Sequence, residues 1–246
     1  IGGVAAVLLE LGEPKVRDGV WHHTSFRTEP LKRLQRTGLA AMVTVYGAHS
    51  RAEAMIAGVV RAHDRITGVT SEGEPYHAND PALLDWVQAT AGFGFMEAYH
   101  RYVRPLSQAE REALFREAAP AARLYGAVGA PASEADWARM LEGMRDRLTP
   151  SPIVFEFLDI MQRVDALPRI ANPMQVALVK AAVAILPPWV RTRLGIGEEY
   201  HLSRRERIAV GLAAKAADRL LLKSSPPVQA CRRLGLPDDY LYRPAH

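Results

Sequence analysis

Apolar residues recur at intervals of three and four along most of the chain, which is the spacing of amphipathic helices. Between positions 50 and 68, at 100° per residue, one face collects apolar side chains: Ala52, Ile56, Val59, Val60 and Ile66. Strict alternation of apolar and polar residues occurs only in MVTVY (42–46), and that segment lies inside a helical pattern. The pattern therefore predicts an all-α fold.

Helix-start signals divide this pattern into about ten helices. Ser107 and Ser203 are each followed three residues later by a glutamate, as in a capping box, and Asp80 precedes a proline. Ser50 begins a box of the same form, so we expect a helix to start there. The sequence has no internal repeat and no low-complexity linker. We therefore predict one all-α domain over residues 1–246.

Composition narrows the class of protein. Hydrophobic residues make up 48% of the 246, enough for a sizeable core, and aromatic residues make up only 7%, which favours packed helices. The net charge of +4 is too small an excess to indicate nucleic-acid binding, and we expect none. Cys231 is the single cysteine, which excludes an internal disulfide and a cysteine-rich metal site. A reducing compartment is therefore the default, and we expect the cytoplasm.

No segment of the sequence is typical of a membrane span. The longest apolar run, at positions 174–190, is interrupted by Lys180 and Pro187, so we expect a buried helix there, with contact at a membrane surface as the alternative. The chain starts at Ile1 rather than at a methionine, so we expect N-terminal sequence to be missing, together with any targeting peptide. Signatures of nucleotide loops, zinc proteases and serine hydrolases do not occur in the sequence.

Three histidines lie on predicted apolar faces of helices. His63 sits in the middle of the face that contains Ile56 and Ile66, and His23 and His100 pass the same test. A buried histidine that bonds a backbone carbonyl is the commoner case. The functional alternative is an axial ligand of haem iron, which requires a neutral imidazole on a rigid element beside an apolar slot. Periodicity nominates all three histidines and does not choose among them.

A basic cluster opens the helix that precedes His63. Arg33 and Thr37 share one face of this helix, and Arg36 lies at the edge of that face. No charged residue follows Arg36 until Arg51, so we expect the second half of the helix to be buried on all sides and Arg33 to face the interior. A buried guanidinium requires an anionic partner, which is either an acid of the chain or a carboxylate of a cofactor. The candidate acids are Glu10, Asp18 and Asp80.

Four ordered motifs carry a resemblance to a known family. They are PKVRDGVWHHTSF (14–26), RLQRT (33–37), HDRITG (63–68) and YHANDPALLDWV (76–87). With these motifs the chain resembles the catalytic domain of the latex-clearing rubber oxygenases, whose family also contains the MpaB-type oxygenase of mycophenolic acid biosynthesis. The resemblance implies an all-α fold that encloses a single haem b, with His63 as the proximal ligand of the iron.

The resemblance also implies roles for the Arg33 helix. Arg33 and Thr37 match an arginine and a threonine beside the haem, so we expect both to contact the haem and to take part in catalysis. Arg36 stands where rubber oxygenases have a lysine that caps the iron; we expect it to contact the haem without capping, because arginine stays protonated. Arg17 occupies the spacing of the glutamate that serves those enzymes as proposed base, so no acid–base residue is carried over.

The leading hypothesis is a haem b-dependent oxygenase that uses dioxygen on a hydrophobic small molecule, isoprenoid or otherwise unsaturated and smaller than rubber. Two alternatives stay open. The first is a protein that binds haem or a lipid-like ligand without turnover. The second is a helical interaction protein whose arginine-rich face, at residues 204–219, binds an acidic partner or a membrane surface.

Overall fold

The computed structural model describes residues 1–166 and 168–243, and twelve α-helices account for most of this part of the chain. The helices are α1 (Gly2–Gly12), α2 (Pro14–His22), α3 (Pro30–Tyr46), α4 (His49–His63), α5 (Pro81–Tyr102), α6 (Gln108–Tyr125), α7 (Glu134–Gly143), α8 (Pro152–Arg163), α9 (Asn172–Ile185), α10 (Pro188–Arg193), α11 (Arg204–Asp218) and α12 (Pro226–Arg233). Short 3₁₀ turns lie before α9 at Arg169–Ala171, before α11 at Glu198–Tyr200 and after α12 at Tyr240–Tyr242. The predicted all-α fold is confirmed.

A two-stranded hairpin lies between α4 and α5, where the sequence pattern predicts no strand. Strand β1 (Thr67–Val69) pairs antiparallel with β2 (Pro75–His77), and Gly68 stands opposite Tyr76. The turn contains Gly73, whose φ of +86° favours glycine. Because each strand has only three residues, its alternation is too short to be recognised in the sequence.

α1 and α5 form the centre of the fold. Leu8, Leu9 and Leu11 of α1 are fully buried, and α2, α8 and α9 pack around the same helix. Gly2 and Gly94 allow the backbones of α1 and α5 to approach closely. A Cβ atom added at Gly2 would lie 2.8 Å from the carbonyl oxygen of Gly94, so neither position tolerates a larger residue without movement.

The predicted helix starts hold at most positions. Ser107 and Ser203 form complete capping boxes, and the Asp80 carboxylate accepts a hydrogen bond of 2.9 Å from a backbone N–H in the first turn of α5. The predicted start at Ser50 is wrong. The carbonyl of Ala48 already accepts the first hydrogen bonds of α4, so Ser50 lies inside the first turn and caps nothing.

The longest apolar run of the sequence forms α9, which packs against α1, α8 and α11. Ala181 and Ile185 are buried, and Lys180 in the middle of the helix forms an ion pair of 3.0 Å with Glu206 of α11. The expectation of a buried helix is confirmed. Within the described residues, none of the helices has both the length and the hydropathy that crossing a bilayer requires.

The hairpin of helices α3 and α4 is packed more loosely than the centre. The expectation that the second half of α3 is buried on all sides is wrong, because no residue of α3 is buried. Leu39 and Val45 are 63% and 68% exposed, and α4 buries only Ala52 and Ile56. The stretch without charges is explained instead by an open apolar groove, of which the second half of α3 forms one wall.

Candidate functional site

Arg33 and His63 lie at the same end of the α3–α4 hairpin. Arg33 is in the first turn of α3, and His63 is the last residue of α4. Because a short turn joins the two helices and they pack against each other, the start of one meets the end of the other. The positive charge of Arg33 is close enough to lower the pKa of His63. Two residues that the sequence nominates separately therefore belong to one site.

The half-buried imidazole of His63 has the protonation state that a metal ligand needs. Burial is the largest cause that lowers its pKa, and the charges of Arg33 and His77 lower it further, whereas Asn79 and Asp64 oppose the shift. The net effect is a lowered pKa, so the ring is neutral at physiological pH. A neutral ring keeps a lone pair available for iron.

Asn79 lies beside this imidazole, on the loop that leads into α5. Its Nδ2 donates to the carbonyl oxygen of Val60 at 3.0 Å and to Oδ1 of Asp64 at 2.7 Å, which fixes the amide against the end of α4. Its Oδ1 is buried and accepts no hydrogen bond of good geometry from the described residues. A buried amide oxygen of this kind favours an imidazole N–H turned toward it, which leaves the other ring nitrogen of His63 for a metal.

Arg33 is held by hydroxyl groups. Its Nε donates to Thr24 Oγ1 at 3.0 Å, and Nη1 donates to Thr37 Oγ1. In the described part of the chain no carboxylate comes within ion-pair distance of Arg33. Burial lowers its pKa and the neighbouring charge of Glu10 raises it, but an arginine stays protonated all the same. The guanidinium is thus oriented by threonines while its charge is left for another anion.

Glu10, at the end of α1, faces this cluster from the centre of the fold. Burial raises the pKa of its carboxyl group to about 7, although a hydrogen bond from Thr90 and the charge of Arg33 both favour the ionised form. The Thr90 hydroxyl lies 3.3 Å from Glu10 Oε1 and 2.9 Å from the carbonyl oxygen of Val87, so its one hydrogen is shared between the two acceptors, and Thr90 itself is fully buried. Glu10 therefore exchanges a proton readily near neutral pH, which is the property of a general acid or base.

The other two candidate acids for Arg33 have structural roles. Asp18 pairs with Arg17 at 3.0 Å and accepts from the backbone N–H of Ser71 at 3.2 Å. Asp80 caps α5. Glu10 is consequently the one of the three candidate acids whose charge acts on Arg33.

Thr37 and Arg36 continue the cluster along α3. Thr37 accepts from Arg33 and donates its own hydroxyl hydrogen to the carbonyl oxygen of Arg33 at 2.9 Å. Arg36 is exposed, and its charge lowers the pKa of Arg33. The predicted set of Arg33, Thr37, Arg36 and His63 is therefore gathered at one end of the hairpin, while their contacts with a haem stay a prediction.

An apolar groove of about 640 Å³ runs between α3, α5 and α6. Ala41 on its α3 wall lies one turn after Thr37, and Ala89 on its α5 wall precedes Thr90 in the sequence, whereas Arg33, Thr37 and His63 are not among the described residues that line the groove. Much of the remaining lining is apolar and includes Met42, Val45, Phe95, Met96, Leu106, Leu114 and Phe115. Pockets of this size and character hold small apolar ligands.

The other two candidate histidines have ordinary surroundings. His23 is exposed just after α2 and only approaches the hydroxyl of Tyr76, at 3.4 Å, so its predicted place on an apolar face is wrong. His100 is half-buried, and its Nδ1 accepts the backbone N–H of Leu106 at 2.9 Å. Backbone satisfaction of this kind is the commoner fate of a buried histidine. His63 is thereby distinguished from both.

The side chains at the site fit a haem better than a bare metal ion. In the part of the chain that the structure describes, no three histidine, cysteine or acidic side chains converge as they do around a bare ion. A haem iron requires one axial imidazole, an acceptor that orients it and a cation for a propionate, and His63, Asn79 and Arg33 have these properties. The buried and unpaired Oδ1 of Asn79 is the observation that favours this fit.

Sequence reasoning missed Asn79 and Thr90, and it left Glu10 undecided. Asn79 carries a signal, since it stands within the motif at positions 76–87. Thr90 and Glu10 carry none, because their contact joins residues that are 80 positions apart.

Residues 1–219 match the family described as "ER-bound oxygenase mpaB/B'/Rubber oxygenase, catalytic domain". No curated protein and no solved structure gave a significant match.

Proposed function

Because the chain belongs to the family of MpaB and rubber oxygenase catalytic domains, we propose that it is a haem-dependent oxygenase that acts on a hydrophobic, unsaturated small molecule. The family indicates an oxygenase. Haem dependence and the class of substrate are the further steps of the proposal. They are supported by the polar cluster around His63 and by the apolar groove whose α3 wall starts at Ala41, one turn after Thr37.

One observation carries the proposal: a neutral imidazole shares one end of a loosely packed helix pair with an arginine that has no carboxylate in ion-pair range among the described residues. His63 would bind the iron through one ring nitrogen while Asn79 accepts from the other. Arg33 would bind a propionate, and Thr37 and Arg36 would lie along the same edge. When bound, haem would supply the iron at which dioxygen is activated.

Glu10 provides the proton chemistry that an oxygenase reaction needs. With a pKa of about 7, its carboxylate accepts a proton from the substrate or returns one to the product near neutral pH. Thr90 holds Oε1 in place, and the positive charge of Arg33 stabilises the ionised form. This residue supports the proposal of an enzyme over that of a protein that only binds haem.

The groove determines what the site accepts. Its volume of about 640 Å³ and its apolar lining favour an uncharged hydrocarbon chain. Ala41, Ala89 and Gly92 leave room along the walls, so a chain lies between α3 and α5 with one end near Thr37 and Thr90.

The first experiment tests haem binding. The purified chain is reconstituted with haem, and its absorption spectrum is recorded beside those of His63→Ala and the matched control His23→Ala, a change at an exposed histidine outside the cluster. We expect a Soret band that is lost or shifted in His63→Ala and unchanged in the control. A band that is identical in all three proteins would contradict the assignment of the ligand.

The second experiment separates catalysis from binding. Oxygen consumption is measured with farnesol as the unsaturated probe, for the haem-loaded chain and for Glu10→Gln. We expect turnover to fall by about a hundredfold or more in Glu10→Gln while the Soret band stays, since a lost general acid or base costs a factor of this size. Haem binding without oxygen consumption in the unaltered chain would favour a binding protein instead.

A further inference from the structure

The outer face of α11 carries basic and apolar side chains together. The inner side, which holds the buried Val210, packs against α5 and α9. Ile208 and Leu212 lie on the outer side, where they are 55% and 66% exposed. At 100° per residue they share that side with Arg204, Arg205, Lys215 and Arg219, all of them exposed.

Three consecutive leucines follow the end of α11. Leu220, Leu221 and Leu222 are all exposed, and Lys223 follows them. The run starts directly after the last residue that matches the family. Contiguous exposed apolar residues mark interaction sites, whereas single ones do not. We call the outer face of α11 together with residues 220–223 the α11 surface.

The positive excess of the whole chain falls on this segment. Residues 204–223 contain six basic and two acidic residues, a net charge of +4, which equals the net charge of all 246 residues. One of the two acids, Glu206, is paired with Lys180 and caps α11, so it does not neutralise the outer face. The remainder of the chain is therefore electrically balanced, and the α11 surface selects a negatively charged partner.

A bilayer with anionic lipids matches both properties of this surface. Arginine and lysine side chains contact phosphate groups, while isoleucine and leucine enter the boundary between headgroups and acyl chains. Nucleic acid would satisfy the charges and leave the leucines in water. We propose that the α11 surface docks the protein onto membranes that carry anionic headgroups.

A small cavity at the end of this surface agrees with such a partner. It has a volume of about 280 Å³ and is lined by Val103, Arg104, Lys215, Asp218 and Arg219. Although Arg104 is paired with Glu110, Lys215 and Arg219 outnumber Asp218, and this balance suits a phosphate group.

The same cavity adjoins the apolar groove, because Arg104 lines both. Docking through α11 would bring the groove close to the bilayer, so that an apolar substrate enters it without crossing water. This consequence rests on the proposed function. The docking itself does not.

The test is vesicle co-sedimentation with the full chain. Vesicles of phosphatidylcholine alone are compared with vesicles that contain about 30% phosphatidylglycerol at about 0.1 M salt. We expect partitioning at least about tenfold stronger onto the anionic vesicles, and its loss at about 0.5 M salt, because screening weakens the contact of the arginines with the headgroups. Equal partitioning onto both kinds of vesicle, or none, would overturn the proposal.

Variants separate the two contributions. Substituting Leu220, Leu221 and Leu222 together by serine should weaken partitioning by about tenfold or more, and Lys215→Gln should weaken it by about fivefold. Val128→Ser, at a position 74% exposed and outside the surface, is the matched control and should have no effect. Circular dichroism confirms that each variant is folded.

Two outcomes contradict the proposal. One is a triple leucine variant that is folded and partitions as the unaltered chain does. The other is tight binding of duplex DNA or polyglutamate by a protein that does not bind vesicles. Oxygen consumption with farnesol in detergent tests the proposed oxygenase activity independently of membrane docking. We expect Leu221→Ser to leave it unchanged, and a failure of the oxygenase activity leaves the vesicle result standing.

Discussion

α1 and α3 are both rich in apolar residues, yet the fold treats them in opposite ways. α1 buries seven of its eleven residues, while α3 buries none of its seventeen. α1 is enclosed by α2, α5, α8 and α9, whereas α3 packs mainly against α4 and α12 and leaves its second half along the groove. In the centre of the fold, other helices of the chain bury the apolar side chains. In the α3–α4 pair most apolar side chains stay at least partly exposed, and a bound ligand would cover them. Binding sites are commonly found in the less stable part of a fold.

The first prediction concerns the contrast in packing. Leu9→Ala in α1 removes a fully buried side chain and should lower the free energy of unfolding by about 3 kcal/mol. Leu39→Ala in α3, where the side chain is mostly exposed, should change it by less than about 0.5 kcal/mol. Urea unfolding of the protein without haem measures both. Similar losses in the two variants would show that α3 is packed as tightly as α1.

The second prediction concerns the closest approach in the centre. Gly94→Ala places a Cβ atom against the backbone of α1 at Gly2 and should cost about 2 kcal/mol, since neither helix can yield without moving the other. Gly92→Ala lies in the same helix and meets nothing within 4 Å. This control should be neutral or stabilising by up to about 1 kcal/mol. Equal unfolding midpoints in urea would contradict the role of the glycine pair.

The third prediction concerns Glu10, which belongs to α1 and interacts electrostatically with Arg33 of α3. Its pKa is about 7 in the fold against an ordinary value of 4.5, so the native carboxyl keeps a proton that the unfolded chain releases in this range. The unaltered protein therefore loses stability as pH rises from 4.5 to 7. Glu10→Gln escapes that loss and should be more stable by about 3 kcal/mol at about pH 8.

Unfolding in urea at several pH values measures this difference. The two proteins should be equally stable in the acidic limit, and the gap should open as pH rises. A gap for Glu10→Gln that does not change with pH would show that the carboxyl is not protonated in the fold.

The smallest predicted effect concerns how α4 ends. Asn79→Ala removes two hydrogen bonds, to Val60 and Asp64, and should cost about 1 kcal/mol. Because this tie is local, hydrogen exchange should accelerate at the end of α4 and stay unchanged in α1. His77→Ala, whose contact with Asp64 is long at 3.4 Å, should have a weaker effect. Faster exchange spread evenly over both helices would contradict a local role.

The helices were largely predictable from the sequence because their signals are local. The capping boxes at Ser107 and Ser203 and the proline after Asp80 each lie within one turn, and the structure forms them. The failure at Ser50 has the same origin. The capping-box pattern at Ser50 gives no information about the carbonyl of Ala48, which accepts the first hydrogen bonds of the helix.

The site was predictable only in part. Arg33, Thr37 and His63 belong to ordered motifs, and the structure brings Arg33 and His63 to one end of the hairpin. The partnership of Glu10 with Thr90 depends on the packing of α1 against α5, which no local pattern encodes. The exposure of the second half of α3 could not be predicted either. A stretch without charged residues looks the same in the sequence whether it packs against other side chains or lines an open groove.

The small β-hairpin has a consequence for handling the protein. It leaves α4 after His63 and returns at Asn79. A Cβ atom added at Gly73 in its turn would meet no atom of the described residues within 4 Å, and the neighbouring turn residues are exposed. His63 and Asn79 are thus held in place outside the β-hairpin that joins them. An affinity tag or a fluorescent label inserted at Gly73 should therefore leave the positions of His63 and Asn79 unchanged.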